Sequence, residues 1–429
     1  MRRPSLRRFC FPIPGPMSRL PVLLLSALLL AGCTGDDALP TGRWRAVATV
    51  PGGTLPFGLD VERTDGTYAV ALLNGGERVP VRTVEVTADS VRLELPAFNS
   101  RIVAARTGGA LEGTLALVKG PDTVERMPFR ATHGVSRRFA PAEAAPAADV
   151  DGRWDVTFVE SDSSTADAVG TFEQDGAQVT GTFMTPTADH RFLEGTVRGD
   201  SLFLSTFDGS HAFLYEAEIQ PDGTLEGDFW SGTRHHSAWT AERDSTASLP
   251  DPYQLTYLKE GYDTFDFTFP SAVDSSRVSL SDARFDGKVV LVTIAGSWCP
   301  NCHDEARFLE QIYPTYRDRG LEIVSLMFER YEAFDAAARQ VRRYREKFDI
   351  SYPTLVAGTA DKEAASEALP MLNRVLSYPT AIFVGRRGKV RYIHTGFYGP
   401  GTGARYEALK RAFTDRIEGL LAEEVPSGT

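Results

Sequence analysis

Cysteine is scarce in this chain: there are four in 429 residues, and Cys10 and Cys33 both lie in the N-terminal stretch, which leaves Cys299 and Cys302 in the body. No framework of structural disulfides is possible within one chain, so apolar packing must supply the core. Histidine is also sparse: the seven run from His133 to His394 with no second cysteine pair nearby, so a structural zinc site lacks ligands and no metal is expected. Basic residues are in the minority, 46 Lys and Arg against 57 Asp and Glu, for a net charge of −11. A nucleic-acid binder needs a basic face to neutralise phosphate, and no nucleic acid is expected as a partner. Long apolar runs are missing apart from Leu20 to Ala31, which is too short to span a bilayer, so the body should be soluble. The length predicts roughly two to four domains, and 42% hydrophobic content is ordinary for a globular protein.

The apolar run ends in Leu30-Ala31-Gly32-Cys33. This resembles a bacterial lipobox, which implies that residues 1–32 are a lipoprotein signal peptide, cleaved before Cys33, and that Cys33 is lipidated and anchors the chain outside the cytoplasm. Residues Met1 to Pro16 are unusual for such a signal, whereas Met17-Ser18-Arg19 gives a compact basic start. Arg7-Arg8 is a weak twin-arginine hint whose following residues do not fit.

Between Thr41 and Asp244 the chain repeats itself. Gly42-Arg43-Trp44 recurs as Gly152-Arg153-Trp154, Asp65-Gly66 as Asp175-Gly176, Asp89-Ser90 as Asp200-Ser201, Phe98-Asn99-Ser100 as Phe207-Asp208-Gly209-Ser210 and Leu111-Glu112-Gly113 as Leu225-Glu226-Gly227, at an offset of about 110 residues. Alternating runs such as Val91-Arg92-Leu93-Glu94-Leu95 lie between Asp-Gly, Asn-Gly and Gly-Asp turn signals. The expectation is two antiparallel β-rich copies, barrel- or sandwich-like, over residues 33–143 and 149–245. Ala140 to Ala148 joins the copies, and Ser245 to Tyr253 leads to a third domain over residues 254–429. Self-contained turn chemistry and a polar linker predict a β region that folds independently of that domain. Trp44, Trp154, Trp230 and Trp239 are expected to fill interiors rather than form a ligand platform. His235-His236 is expected on a solvated hairpin, because adjacent strand residues point to opposite faces.

The densest chemistry is Trp298-Cys299-Pro300-Asn301-Cys302. It follows the apolar run Val289 to Ile294, which reads as a buried parallel strand, and precedes Phe308, Leu309, Ile312 and Tyr316 at helical spacing. Both cysteines therefore sit where a strand becomes a helix. There the unpaired backbone N–H groups and the helix dipole favour an anion, which lowers the pKa of the leading thiol and makes Cys299 the expected nucleophile. Pro300 suits the first helical turn, and the i, i+3 spacing places Cys302 beside Cys299 as the resolving thiol. The alternatives are weaker. Cys299-x-x-Cys302-His303 also matches a haem attachment string, but this motif ends a buried strand, and a disulfide closing so short a loop stabilises little.

Beyond the motif, Leu321 to Met327, Pro353 to Ala357, Ala381 to Val384 and Val390 to His394 read as strands. Phe334, Ala338, Val341, Tyr344 and Phe348 form a helical stripe, and Tyr406, Leu409, Phe413, Ile417 and Leu420 mark a terminal helix. This β/α alternation over residues 260 to 424 resembles the thioredoxin fold, and more closely the TlpA/ResA-like thiol-disulfide oxidoreductases. The resemblance implies that Cys299 attacks and Cys302 resolves. It makes Tyr378-Pro379-Thr380 the cis-proline loop opposite the dithiol, with Trp298, Tyr378 and Pro379 as substrate-binding residues. It also makes Glu305 the subfamily's acidic residue; partly buried, such a carboxylate would accept the Cys302 proton with a raised pKa, whereas solvated it would be an ordinary first-turn acid favoured by the helix dipole. Thioredoxins carry an acid where this chain has Thr293. Arg307 stands where the family usually has a proline, Asn301 occupies the variable dipeptide, and His303 and Asp304 are expected to face solvent.

The expected function is therefore that of a membrane-anchored, extracytoplasmic thiol-disulfide oxidoreductase, with no cofactor beyond the redox-active disulfide Cys299–Cys302. Partners implied by the resemblance are protein disulfides, cytochrome c maturation or other extracytoplasmic proteins, and a membrane electron donor. Two other classes fit the sequence less well. A peroxiredoxin-like peroxidase is disfavoured by Val292 and Gly296 at its pattern positions. A lipid-anchored β-domain binding protein with an accessory redox module is disfavoured by the presence together of Cys299, Cys302 and Pro379.

Overall fold

The computed structural model describes residues 38–95, 98–139, 146 and 148–424. The expected signal peptide over residues 1–32, the expected lipidation site Cys33 and most of the Ala140 to Ala148 joint lie outside the described residues.

The first copy is a nine-stranded antiparallel meander: β1 (Gly42–Val50), β2 (Gly53–Thr64), β3 (Thr67–Asn74), β4 (Glu77–Val81), β5 (Thr83–Val86), β6 (Ser90–Leu95), β7 (Ser100–Thr107), β8 (Ala110–Val118) and β9 (Val124–His133). β1 pairs with β9, so the sheet curls on itself, and its two edge strands β4 and β5 are consecutive in the chain with only Arg82 between them. The alternation in β6 does what the pattern predicts: Val91, Leu93 and Leu95 are buried while Arg92 is exposed. Asp65 and Gly66, both at positive φ, make the tight turn from β2 to β3.

The second copy closes completely into an eight-stranded barrel: β10 (Gly152–Val159), β11 (Thr165–Asp175), β12 (Gln178–Met184), β13 (Leu193–Arg198), β14 (Ser201–Phe207), β15 (Ala212–Ile219), β16 (Leu225–Ser231) and β17 (His235–Arg243). The duplication extends to individual bonds. The Trp44 indole donates to Pro40 O at 3.0 Å and the Trp154 indole to Val150 O at 2.9 Å. Gly113 and Gly227 sit so close to the neighbouring strand that an added Cβ would lie 2.0 Å from a carbonyl oxygen, of Val103 and Glu216 respectively. Trp44, Trp154 and Trp239 are buried, as interior packing predicts, and His235 and His236 are exposed. Trp230 is only partly buried and packs against the core of the first copy.

The third region is a five-stranded mixed sheet ordered β22-β21-β20-β23-β24, preceded by the short hairpin β18 (Thr268–Pro270) and β19 (Arg277–Ser279). β20 (Val289–Ala295) pairs in parallel with β21 (Leu321–Glu329), which pairs in parallel with β22 (Thr354–Thr359); β23 (Thr380–Val384) and β24 (Val390–Thr395) run antiparallel. Every residue of β20 is buried, which explains its unbroken apolar run. The helices are α1 (Pro300–Arg317), α2 (Phe334–Phe348), α3 (Lys362–Ala368) and α4 (Ala404–Leu421). The apolar stripe delimits α2 to the residue, whereas α3 and the β18–β19 hairpin carry too short a pattern to stand out. None of the described helices is long and apolar enough to cross a membrane.

The residues from Leu39 onward form one compact unit. Phe207, Ala212 and Leu214 of the second copy belong to the first copy's core, with the Phe57 and Phe207 rings 4.8 Å apart. Val169 and Met184 of the second barrel, and Ala247 of the linker, belong to the core of the mixed sheet. The β region therefore shares apolar surface with the third region, a contact that turn chemistry and linker polarity did not predict. Gly227→Ala should destabilise the protein by about 1–3 kcal/mol, because its methyl group would overlap the Glu216 carbonyl across β15–β16. An unchanged denaturation midpoint would contradict that packing.

Candidate redox site

β20 hands the chain to Gly296, Ser297 and Trp298, and α1 starts immediately after. A Cβ at Gly296 would lie 2.4 Å from Trp298 Nε1, so only glycine allows the indole to fold back and donate to Phe328 O at 2.9 Å. Ser297 is fixed from β21: its N–H and hydroxyl both donate to the Glu329 carboxylate, at 2.8 and 2.7 Å. Cys299 is the N-cap of α1, with extended backbone, and Pro300 occupies the first helical turn. The Cys299 Sγ accepts the Cys302 N–H at 3.3 Å, the place of a capping side chain at a helix start.

Both cysteines are free and buried, Cys299 5% and Cys302 0% exposed. The Cys299 thiol donates to Tyr378 O at 3.3 Å, and the Tyr378–Pro379 bond is cis. The Tyr378 ring meets the Trp298 indole edge-on with centroids 5.5 Å apart, and Arg330 lies over the Trp298 face at 4.5 Å. Trp298, Cys299, Tyr378 and Pro379 are thus assembled in one place although about eighty residues separate them in sequence. Thr293 pairs its hydroxyl with that of Ser325 at 2.7 Å, a neutral contact where thioredoxins carry an acid.

Glu305 is 2% exposed, and its Oε1 has no hydrogen-bond partner. Burial, reinforced by the Cys299 sulfur, holds its carboxyl well above the usual range. Burial first, then the Cys299 hydrogen bond and the negative neighbours Cys299 and Glu305, push the Cys302 thiol well up. A resolving thiol and a nearby carboxyl are therefore both biased to their protonated forms.

The expectation that His303 and Asp304 face solvent is wrong: they are 3% and 1% exposed. The β region roofs them. Phe98 of the first copy stacks on the His303 ring, centroids 4.4 Å apart, and Arg191 of the second copy pairs with Asp304. His303 Nε2–H donates to Ser297 O at 2.7 Å, which leaves Nδ1 to accept from Lys347 at 3.1 Å. Burial drives the His303 pKa well down and that of Lys347 to about 7. Asn301 is also captured, donating to Asp189 Oδ1 at 2.7 Å and to Phe397 O at 2.9 Å, and Arg307 pairs with Asp304 at 2.7 Å.

Sequence reasoning missed Glu329, Lys347, Asp189 and Arg191. Glu329 did leave a signal, as a carboxylate ending a strand of buried apolar residues; burial raises its pKa to about 7 against the two Ser297 bonds. The others act across more than a hundred residues or between helices, where spacing carries no information.

Residues 259–409 match the Redoxin family. The thioredoxin-like protein YneN of Bacillus subtilis is 29% identical over 139 residues, 32% of this chain and 73% of that protein. The thiol-disulfide oxidoreductase ResA of Bacillus thuringiensis is 25% identical over 118 residues, 28% of this chain and 60% of that protein, so the match spans less than two thirds of ResA. A crystal structure of a thiol:disulfide interchange protein from Chlorobium tepidum aligns with a TM-score of 0.29 at 20% identity, over 38% of this chain and 99% of that one. Over its C-terminal domain this chain is therefore similar to the Redoxin family and to the thiol-disulfide oxidoreductases of the ResA and YneN kind.

Proposed function

We propose that this protein is a membrane-anchored, extracytoplasmic thiol-disulfide oxidoreductase that reduces protein disulfides through Cys299 and Cys302. The observation that carries the reading is the placement of Cys299: a helix N-cap whose sulfur receives one backbone N–H and faces the carbonyl that precedes Pro379. The helix dipole and that N–H suit a sulfur that carries negative charge as it attacks. The anchor rests on the lipobox resemblance at Cys33 and the compartment on the names of the relatives; protein disulfides, including those of cytochrome c maturation, and a membrane dithiol donor are the partners these suggest.

In the first step the Cys299 thiolate attacks one sulfur of a substrate disulfide. That S–S bond breaks, a mixed disulfide forms, and the first substrate sulfur leaves as a thiolate that takes up a proton. In the second step Glu305 accepts the Cys302 proton and the Cys302 sulfur attacks Cys299 Sγ. The Cys299–Cys302 disulfide forms, and the second substrate sulfur leaves and is protonated. Two electrons pass to the substrate, and an external dithiol must return them. Trp298 and Tyr378 flank the sulfur that reacts, in position to hold the substrate chain.

Removing Cys302 halts the second step, so Cys302→Ser should accumulate dithiothreitol-sensitive adducts with extracytoplasmic proteins, while Cys299→Ser traps little and loses insulin reduction. Equal trapping by both variants would reverse the role assignment. Glu305 takes a proton only when ionised, and burial places that ionisation above the usual carboxylate range. Resolution of the mixed disulfide should therefore accelerate as pH rises through the Glu305 titration. Glu305→Gln should lose that rise and resolve on the order of a hundredfold more slowly, with attack by Cys299 little changed. An unaltered pH profile in stopped-flow traces would remove Glu305 from the proton path.

A further inference from the structure

The connection 185–192, between β12 and β13, has no counterpart in the first copy, where only Gly75 and Gly76 join β3 to β4. Its residues Asp189, His190 and Arg191 straddle two regions. His190 inserts among the rings of Phe158, Phe183, Phe213, Tyr215 and Phe229 inside the second barrel, and its Nδ1 meets the Tyr215 hydroxyl. The residues on either side turn the other way, towards the redox helix. Asp189 Oδ1 accepts from Asn301, between the two cysteines, and from Gly399 N–H at 2.6 Å. Arg191 pairs with Asp304, with Glu77 of the first copy at 2.7 Å and, across 3.3 Å, with Asp208.

Arg191 adopts this arrangement at φ +64°, a conformation that costs a non-glycine residue about 1–3 kcal/mol and persists where surrounding contacts over-determine it. Without the guanidinium, Asp304 in the first turns of α1 would be left with the half-exposed Arg307, and Glu77 and Asp208 would lose the cation they share with it. A thiolate bears a negative charge that a disulfide lacks, so negative charge on that face opposes the reduced pair wherever it ionises to react.

We propose that the Asp189-His190-Arg191 loop of the second barrel is a positioning device for the dithiol, in which Arg191 sets the Cys299/Cys302 reduction potential through Asp304. The β region is then a working part of the redox site. This rests on the redox reading of the two cysteines.

The test is the thiol–disulfide equilibrium of the full chain with glutathione, measured for the wild type, Arg191→Met, Arg191→Lys and Asp304→Asn, with folding checked by circular dichroism. Arg191→Met should move the equilibrium about tenfold towards the disulfide, a potential roughly 30 mV more negative. Asp304→Asn, which removes the negative charge itself, should move it towards the dithiol, and Arg191→Lys, which keeps the charge, should stay within about threefold of wild type. A loop that is only a scaffold would move Arg191→Met and Asp304→Asn in the same direction or leave both unchanged, and either result overturns the proposal. Should Arg191→Met not fold, Asp304→Asn decides: a shift towards the dithiol supports the proposal, and its absence overturns it. A wild-type chain with no reversible equilibrium would instead refute the redox reading on which the proposal stands.

Discussion

One buried guanidinium holds the three parts of this molecule together. Arg191 is 5% exposed, at the meeting point of Glu77 from the first β copy, Asp208 from the second and Asp304 from the redox helix. A charge removed from water is tolerated only when it is paired, and arginine cannot escape by losing its proton. The surrounding acids respond unequally. Burial lifts Glu77, whereas for Asp208 burial is outweighed by His211, Arg191 and the backbone N–H of His211, and its carboxyl is held well below the usual range. Removing one member of such a cluster leaves the others buried and uncompensated, which is why the relative placement of the three parts is specified tightly.

The same joint explains what the sequence could and could not reveal. Local patterns were sufficient for the long elements of the redox domain, though not for α3 or the β18–β19 hairpin: the apolar run before Cys299 is a wholly buried strand, the stripe Phe334 to Phe348 bounds a helix, and Tyr378-Pro379 lands against the cysteine it was expected to face. The duplication was legible because each copy repeats the residues that its turns and close strand contacts require, as at Gly113 and Gly227. His303 and Asp304 were misplaced because helix periodicity reports only which residues face the helix's own sheet. Whether the opposite face meets water depends on what else is folded over it, and here that is Phe98 and Arg191, far upstream.

Burial also gives the site its electrostatic character. Glu305 and Cys302 are both pushed towards their protonated forms, while His303 is kept neutral beside a lysine whose pKa burial lowers to about 7. The ion pairs on the redox helix come as a set, with Asp304 between Arg191 and Arg307. In so dry a setting a single added or removed charge acts over a longer range than it would at the surface. A barrel that had merely been appended to a redox domain would not need its longest inter-strand connection to reach Asn301, one of the two residues between the cysteines.

The central claim, that Cys299 and Cys302 form one reversible two-electron couple, is tested most directly by equilibrating the full chain across a series of glutathione redox buffers, quenching with a thiol-alkylating reagent and reading the intact mass. The account predicts a single transition between a doubly alkylated and an unalkylated form of this pair, with the disulfide mapped to the Cys299–Cys302 peptide. Independent alkylation of the two cysteines, or a glutathione adduct stable on either one, would contradict it.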